Sequence, residues 1–346
     1  MFDVITIGTA TRDVFLRSQL FGTFKDEAHL KEAGFPTGEA QCFALGAKME
    51  IEKPVFTTGG GAANAAVTFA RQGFHVASFI KVGNDKPGGD IVKELEKEKI
   101  KVFAAGDKVR GTAYGTILLS PNGERTVLIY HGASDGLKVG DVLKTGLRAR
   151  WAYITPGNIP MPVMSRIIDV LYRNGTLVVM DPSKFYLKNR KHLEPMLKKL
   201  AIVKMNREEA GYLTGMDYQN EKAAFARFDE LTPGIAVMTD GSRGVTVSDG
   251  RHLYKAGIFN EKKLVDRTGA GDAFGSGFVA GLMRRIKNPK SVKDYLSEDI
   301  EFAIRVGSAN ATSVVEFVGA KEGILKKSGL KSARWAELPI RVKRLR

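Results

Sequence analysis

Asp266-Arg267-Thr268-Gly269-Ala270-Gly271-Asp272-Ala273-Phe274-Gly275-Ser276-Gly277-Phe278 decides the reading of this chain, because its small residues open an apolar, helix-like run. Gly269, Ala270 and Gly271 let backbone N–H groups at a helix start converge on an anion without side-chain obstruction, and the helix dipole adds attraction. Asp272 is the odd member, since a carboxylate beside a phosphate repels the resting ligand. Its presence makes chemical sense as a base that takes the proton of an attacking hydroxyl while charge spreads over a transferred phosphoryl group. Standing alone, Gly-Ala-Gly-Asp would read better as a tight turn before a core helix. Other phosphate signatures fail: Gly275 misses the G-x-G-x-x-G spacing by one residue, and no G-x-x-x-x-G-K-[ST] occurs.

Outward from this stretch, short β-branched runs alternate with helical segments, the signature of strand-helix-strand crossovers and a mostly parallel sheet. Strands are expected at Val4 to Ile7, Val76 to Val82, Trp151 to Ile154, Leu177 to Met180, Ile202 to Met205 and Ile235 to Met238. Helices near 62–72, 86–97, 161–173, 207–214, 270–285 and 298–314 would cover both faces, so the class is α/β. Residues 12–57 and 110–130 break the rhythm and read as antiparallel β excursions, the second turning at Asn122-Gly123. Together they form a small sheet placed as a lid. A mobile loop or short helix is expected at 18–40, around Phe35-Pro36.

A chain of 346 residues with 43% hydrophobic content can bury a large core, and length alone suggests about two units. No apolar run approaches the roughly 20 residues of a membrane helix. Asp3 and the absence of basic residues at the start make Met1 to Gly8 a first strand rather than an export signal. One cysteine, Cys42, allows no internal disulfide, so a reducing, cytoplasmic setting is expected. His29, His75, His131, His192 and His252 lack metal-ligand spacing. Much of the +15 net charge is terminal: residues 321–346 carry nine Lys or Arg against Glu322 and Glu337, a net of +7. This segment reads as a basic C-terminal extension to a domain over 1–320, solvated or in contact between subunits; neither nucleic acid nor membrane is expected as a partner.

The pattern D-R-T-G-A-G-D at 266–272 resembles the D-T-x-G-A-G-D hallmark of the ribokinase-like, or PfkB, family of carbohydrate kinases. Gly59-Gly60-Gly61-Ala62-Ala63-Asn64 resembles the family's N-terminal glycine motif. Gly83-Asn84-Asp85 with Gly88, Asn206-Arg207-Glu208-Glu209 and Thr239-Asp240-Gly241-Ser242-Arg243-Gly244 follow in the family's order, and the likeness runs from Val4 to about Ala320. The resemblance implies a three-layer α/β/α domain with a β-sheet lid, ATP as donor, Mg²⁺, and in many relatives a monovalent cation such as K⁺. It makes Asp272 the base and Gly269, Ala270 and Gly271 the anion hole. Asn206 would meet phosphate and Glu209 would hold Mg²⁺ through water, although N-x-x-E is equally a helix-capping box. Thr239, Gly241 and Gly244 would pass over the nucleotide, and Ser308 and Asn310 would border the adenine.

On the acceptor side the resemblance assigns Asp13, whose carboxylate suits a vicinal diol, with Gly59, Gly60, Asn64 and Asn158. Gly61, Thr11 and Asn158 stand where ribokinases have Lys, Asn and Glu, so ribose does not follow. Arg267 replaces the hallmark's Thr, which puts the monovalent-cation site in doubt. Arg110 and Arg125 could meet the phosphate of a phosphosugar. The expected reaction is ATP-dependent phosphorylation of a sugar hydroxyl. The rivals are a nucleoside acceptor, held by lid rings such as Phe43, Phe56 or Tyr114, and a non-catalytic regulator with a nucleic-acid-binding tail. A homodimer joined through the lids is a further implication.

Overall fold

The computed structural model describes residues 1–33, 38–120, 125–143, 148–216 and 220–345. Val4, Ile5 and Ile7 of β1 (Phe2–Gly8) are buried on both faces of the strand, as expected where helices cover each side of a parallel sheet. There follow β2 (Thr11–Arg17), β3 (Val55–Gly59), α1 (Gly61–Arg71), β4 (Val76–Gly83), α2 (Lys86–Lys97), β5 (Lys101–Asp107), β6 (Tyr114–Leu119) and β7 (Arg125–Tyr130). Next come β8 (Ala149–Thr155), α3 (Met161–Arg173), β9 (Leu177–Met180), β10 (Ile202–Asn206), α4 (Arg207–Thr214), α5 (Glu221–Leu231) and β11 (Ile235–Thr239). The chain closes with β12 (Val245–Ser248), β13 (His252–Ala256), α6 (Ala270–Arg285), α7 (Ser297–Val314) and β14 (Ile340–Arg344).

Among the described residues the main sheet has ten strands in the order β14-β13-β12-β11-β10-β9-β8-β1-β4-β5. The pairs from β5 to β11 are parallel, and β12, β13 and β14 add on antiparallel. One face is covered by α1, α6 and α7 and the other by α3, α4 and α5, giving the expected three-layer α/β/α arrangement. Small residues let α6 and α7 approach closely: a Cβ on Gly281 would lie 2.6 Å from Ala303 Cα. Among the described residues no helix is long and apolar enough to cross a membrane.

A separate four-stranded sheet, β3-β2-β6-β7, forms over a small cluster of Phe15, Ile117 and Leu119 that packs against Val318. The expectation that both excursions are antiparallel is corrected at their junction, where β2 and β6 run parallel. Both excursions leave the carboxyl edge of parallel strands, β1 and β5, so their first strands run the same way. A short helix at Glu27–Glu32 occupies the 18–40 stretch, while Phe35-Pro36 and Asn122-Gly123 lie outside the described residues. The basic segment, described through residue 345, is not a solvated appendage: Ile324, Trp335 and Leu338 enter the core and β14 extends the sheet. The alternation Leu338-Pro339-Ile340-Arg341-Val342-Lys343 supplies that strand.

Candidate active site

The helix α6 begins at Gly269, which adopts φ 79° and offers no side-chain cap. That leaves first-turn N–H groups without a capping side chain, the arrangement that attracts an anion. A Cβ at position 269 would collide with Ala320, so glycine is required on steric as well as conformational grounds. The loop is pinned by fully buried Asp266, whose Oδ1 accepts from the Thr268 amide at 2.9 Å and hydroxyl at 2.7 Å. Its Oδ2 accepts from the Gly319 amide at 3.0 Å. Asp272 stands in the first turn of α6, and its Oδ2 accepts from Asn64 Nδ2 at 2.8 Å. Asn64 lies in the first turn of α1, and its buried Oδ1 has no partner among the described residues.

Below this loop, Lys204 Nζ ion-pairs with Asp181 Oδ2 at 2.6 Å, both side chains being nearly buried. Burial disfavours the Lys204 ammonium, but Asp181, Asp272 and Glu209 more than compensate and hold it above the ordinary lysine range. Burial pushes Asp181 up to about 7; Lys204 pulls it down, while Glu209 and Asp272 push it further up. The two shifts share one origin, since Asp272 and Glu209 act on both members of the Lys204–Asp181 pair. The hydroxyl of Tyr153 is buried without a partner among the described residues, and its pKa is driven up first by burial and then by Asp181 and Asp272.

Asp272 and Lys204 open into a cavity of about 570 Å³ that also takes in Asn206, Glu209, Thr239, Gly241 and the 269–271 loop. Asn206 and Glu209 form the capping box that their spacing allowed: the Asn206 backbone N–H donates to Glu209 Oε2 at 2.8 Å, and the Glu209 backbone N–H to Asn206 Oδ1 at 2.8 Å. Gly244 is a hairpin residue, with φ 94° and no room for a Cβ against Ala256, and does not line the cavity. Ser308 and Asn310 are also off the cavity. Asn310 is a core staple, donating to the Ala273 carbonyl at 2.9 Å and accepting from the Leu325 amide at 2.9 Å. The α7 surface of the cavity is made instead by Ala311, Thr312 and Val315, the last just beyond the helix end, and faces Ile258 and Leu264. Arg125 of the lid reaches the cavity, whereas Arg110 is paired with Asp107 at 3.3 Å.

On β2, Asp13 is buried between two glycines: a Cβ on Gly115 would lie 2.6 Å from its Oδ1, and one on Gly59 would collide with its Oδ2. Burial raises Asp13 to about 6, against the downward pull of the Thr11 hydroxyl, Lys321 and Arg12, with Asp266 adding to the rise. Gly60, with φ 90°, turns the chain from β3 into α1 so that Asn64 follows directly. Asn158 is not joined to this group; its side-chain amide reaches Asp135 Oδ2 at 3.5 Å.

Residues 37–327 match the model of the pfkB family carbohydrate kinase. The chain belongs to that family. PfkB kinases are phosphotransferases with an alcohol group as acceptor. Within the pfkB family, Fructokinase-1 of Oryza sativa subsp. japonica is 30% identical over 283 residues, covering 75% of this chain and 85% of that protein. The bifunctional ribokinase/ribose-5-phosphate isomerase A of Fructilactobacillus sanfranciscensis is 27% identical over 262 residues, 72% of this chain but 47% of that longer protein. The solved ribokinase of Giardia lamblia superposes with a TM-score of 0.78 at 19% identity, covering 97% of this chain and 100% of that one, which establishes the pfkB fold.

Sequence reasoning missed Asp181, Lys204 and Lys321 in this pfkB chain. A signal for Lys204 was present, since a lysine interrupts the otherwise apolar run Ile202-Val203-Lys204-Met205 two residues before Asn206. A charge in a strand covered on both faces needs a partner, and Asp181, just after the neighbouring strand β9, provides it.

Proposed function

We propose that this pfkB kinase transfers the γ-phosphoryl group of ATP to a hydroxyl of a sugar, with Asp272 as general base. The observation that carries the reading is the carboxylate of Asp272 held at 2.8 Å by the Asn64 amide, at the start of an uncapped helix whose neighbours are Gly269, Ala270 and Gly271. The acceptor hydroxyl gives its proton to Asp272, its oxygen bonds to the γ-phosphorus, and the bond to the β-phosphate oxygen breaks to release ADP. The α6 amides and Lys204 offset the charge gathered on the transferred group. Asp13 and Asn64 present acceptors, and Asn64 also a donor, to the sugar hydroxyls.

Among the described residues no group of three or more His, Cys, Asp or Glu side chains forms a metal cage. The excess of carboxylate around Lys204 nevertheless suits a cation that arrives with the nucleotide, and Glu209 and Asp181 are the side chains that would face it through water. Bound Mg²⁺ would supply charge neutralisation between the phosphates. A monovalent cation beside the 266–268 turn would depend on backbone carbonyls, because the Asp266 carboxylate is committed to Thr268 and Gly319.

A sugar is preferred to a nucleoside because two candidate base-stacking rings already have protein partners. Phe43 packs edge-on against Phe21 at 5.6 Å, and Phe56 carries the Arg12 guanidinium at 5.7 Å. For assembly we favour a homodimer through the lids, since β7 is exposed on both faces at Val127, Leu128, Ile129 and Tyr130. The test is ADP release over a panel of pentoses, hexoses, phosphosugars and nucleosides with wild-type protein and Asp272→Asn. Turnover with at least one sugar and a loss of about 10²- to 10⁴-fold in the variant is expected. A folded variant with wild-type turnover would overturn the assignment of the base.

A further inference from the structure

Against the Thr58–Gly59 end of β3 lies a buried cation that no step above uses. Lys321 is 5% exposed; its Nζ pairs with Glu94 Oε1 at 2.5 Å and donates to the hydroxyl of Thr58. Its backbone is fixed from the other side, where Arg71 donates to the carbonyls of Lys321 at 2.8 Å, Glu322 at 3.4 Å and Ile324 at 3.1 Å while also binding the Glu98 carboxylate. Burial pushes the Lys321 ammonium below the ordinary lysine range; Glu94 and Asp13 draw it back up, and Arg71 opposes them. An apolar side chain would fill this space without the desolvation cost, so packing alone does not account for a charge here.

The position of that charge suggests its use. Thr58 immediately precedes Gly59, which leaves room for Asp13, and it pairs across the lid strands with Arg12, the neighbour of Asp13. We propose that Lys321 is a positioning residue for the acceptor: its ammonium, anchored between Glu94 of α2 and Thr58 of β3, sets a fixed positive charge beside the Asp13 carboxylate that receives sugar hydroxyls. The charged and hydrogen-bonding groups facing Asp13 are the Thr11 hydroxyl, Lys321, Arg12 and Asp266; those facing Lys321 are Glu94, Asp13 and Arg71. Arg12 lies over the Phe56 ring, which leaves Lys321 as the fully buried cation of the set. The inference rests on the reading of Asp13 as the hydroxyl-binding residue.

The test compares wild type, Lys321→Met and Lys321→Arg as full chains, using the pH profile of kcat/KM for the best sugar and direct carbon-13 NMR titration of the Asp13 carboxyl, assigned with Asp13→Asn. Loss of the charge in Lys321→Met should move both the acidic limb and the NMR midpoint up by about one pH unit, with KM for ATP unchanged. Lys321→Arg should restore both toward wild type. A purely structural lysine would lower stability and kcat but leave both midpoints in place, and that result overturns the proposal. If Lys321→Met does not fold, Lys321→Gln, which removes the charge but keeps a polar side chain, is read in its place: an upward shift of its NMR midpoint supports the proposal, and an unmoved midpoint overturns it. Failure of the wild type to phosphorylate any sugar would bring down the acceptor reading itself, even with the NMR shift present. An active wild type with an unmoved limb in Lys321→Met would bring down only the role of Lys321.

Discussion

Replacing Asp13 by Asn should make the protein more stable at alkaline pH and a poorer kinase, and the size of the first effect follows from its burial. Burial holds the folded-state carboxyl at about 6 against an ordinary 3.8, so the folded state binds this proton more tightly than the unfolded state. The favourable contribution of a group raised in this way is complete below 3.8 and is lost as the pH climbs through about 6. At about 1.4 kcal/mol per pH unit, the full crossing amounts to roughly 3 kcal/mol, of which roughly 1 kcal/mol falls between pH 5 and pH 8. Asn cannot titrate, so urea denaturation should show the variant gaining about 1 kcal/mol on wild type over that interval. The same change exchanges charged for neutral hydrogen bonds to the sugar, so KM for the acceptor should rise about 10- to 100-fold while KM for ATP holds. A stability difference that is flat with pH would show that the carboxylate is not held under this strain of desolvation. An unchanged acceptor KM would remove Asp13 from the binding site.

Removing the Asn64 amide with Asn64→Ala should leave the fold intact by circular dichroism and lower kcat by about 10- to 100-fold, because Asp272 loses the donor that aims it. The Gly60→Ala variant places a Cβ 2.6 Å from Ala10 Cα at φ 90°, so it should lose about 2 kcal/mol or more in urea denaturation. Lys204→Met strands the Asp181 carboxylate and should cost about 3–5 kcal/mol, whereas the double variant Lys204→Met/Asp181→Leu should recover stability without recovering turnover. Recovery of both would make the pair structural alone.

The helix bounds were legible because the chain marks them chemically. Asp85 caps α2 by accepting from the Gly88 amide at 2.9 Å, and Asn206 with Glu209 boxes the start of α4. The Gly269-Ala270-Gly271-Asp272 turn was legible for a related reason, since its residue types have few other uses in that order. The inner face of α7 was not. Gly307-Ser308-Ala309-Asn310-Ala311-Thr312-Ser313 is small all round, so no contrast between apolar and polar residues sets the phase of the helix. Packing against α6 sets it instead, turning Asn310 toward Ala273 and Thr312 toward the cavity. The basic tail misled in a similar way, because its net charge of +7 obscured Trp335 and Leu338, whose burial depends on partners far away in sequence.

The residues that follow α7 explain why the two halves of the site cannot be treated as separate parts. Gly319 donates to Asp266 of the turn before α6, and its own position is crowded by Thr57 of the lid strand β3. Ala320 fills the space that forces glycine at 269, and Lys321 reaches Thr58. Val318 packs beneath the lid cluster of Phe15, Ile117 and Leu119. Four consecutive residues therefore meet either the 266–269 turn or the lid strands, and Gly319 lies against both. Such a wedge is too tightly packed to shift at one end alone. A substitution here that moves β3 should thus also disturb the helix start at Gly269, lowering kcat together with acceptor affinity, whereas a substitution confined to the lid's outer strand should spare the transfer step.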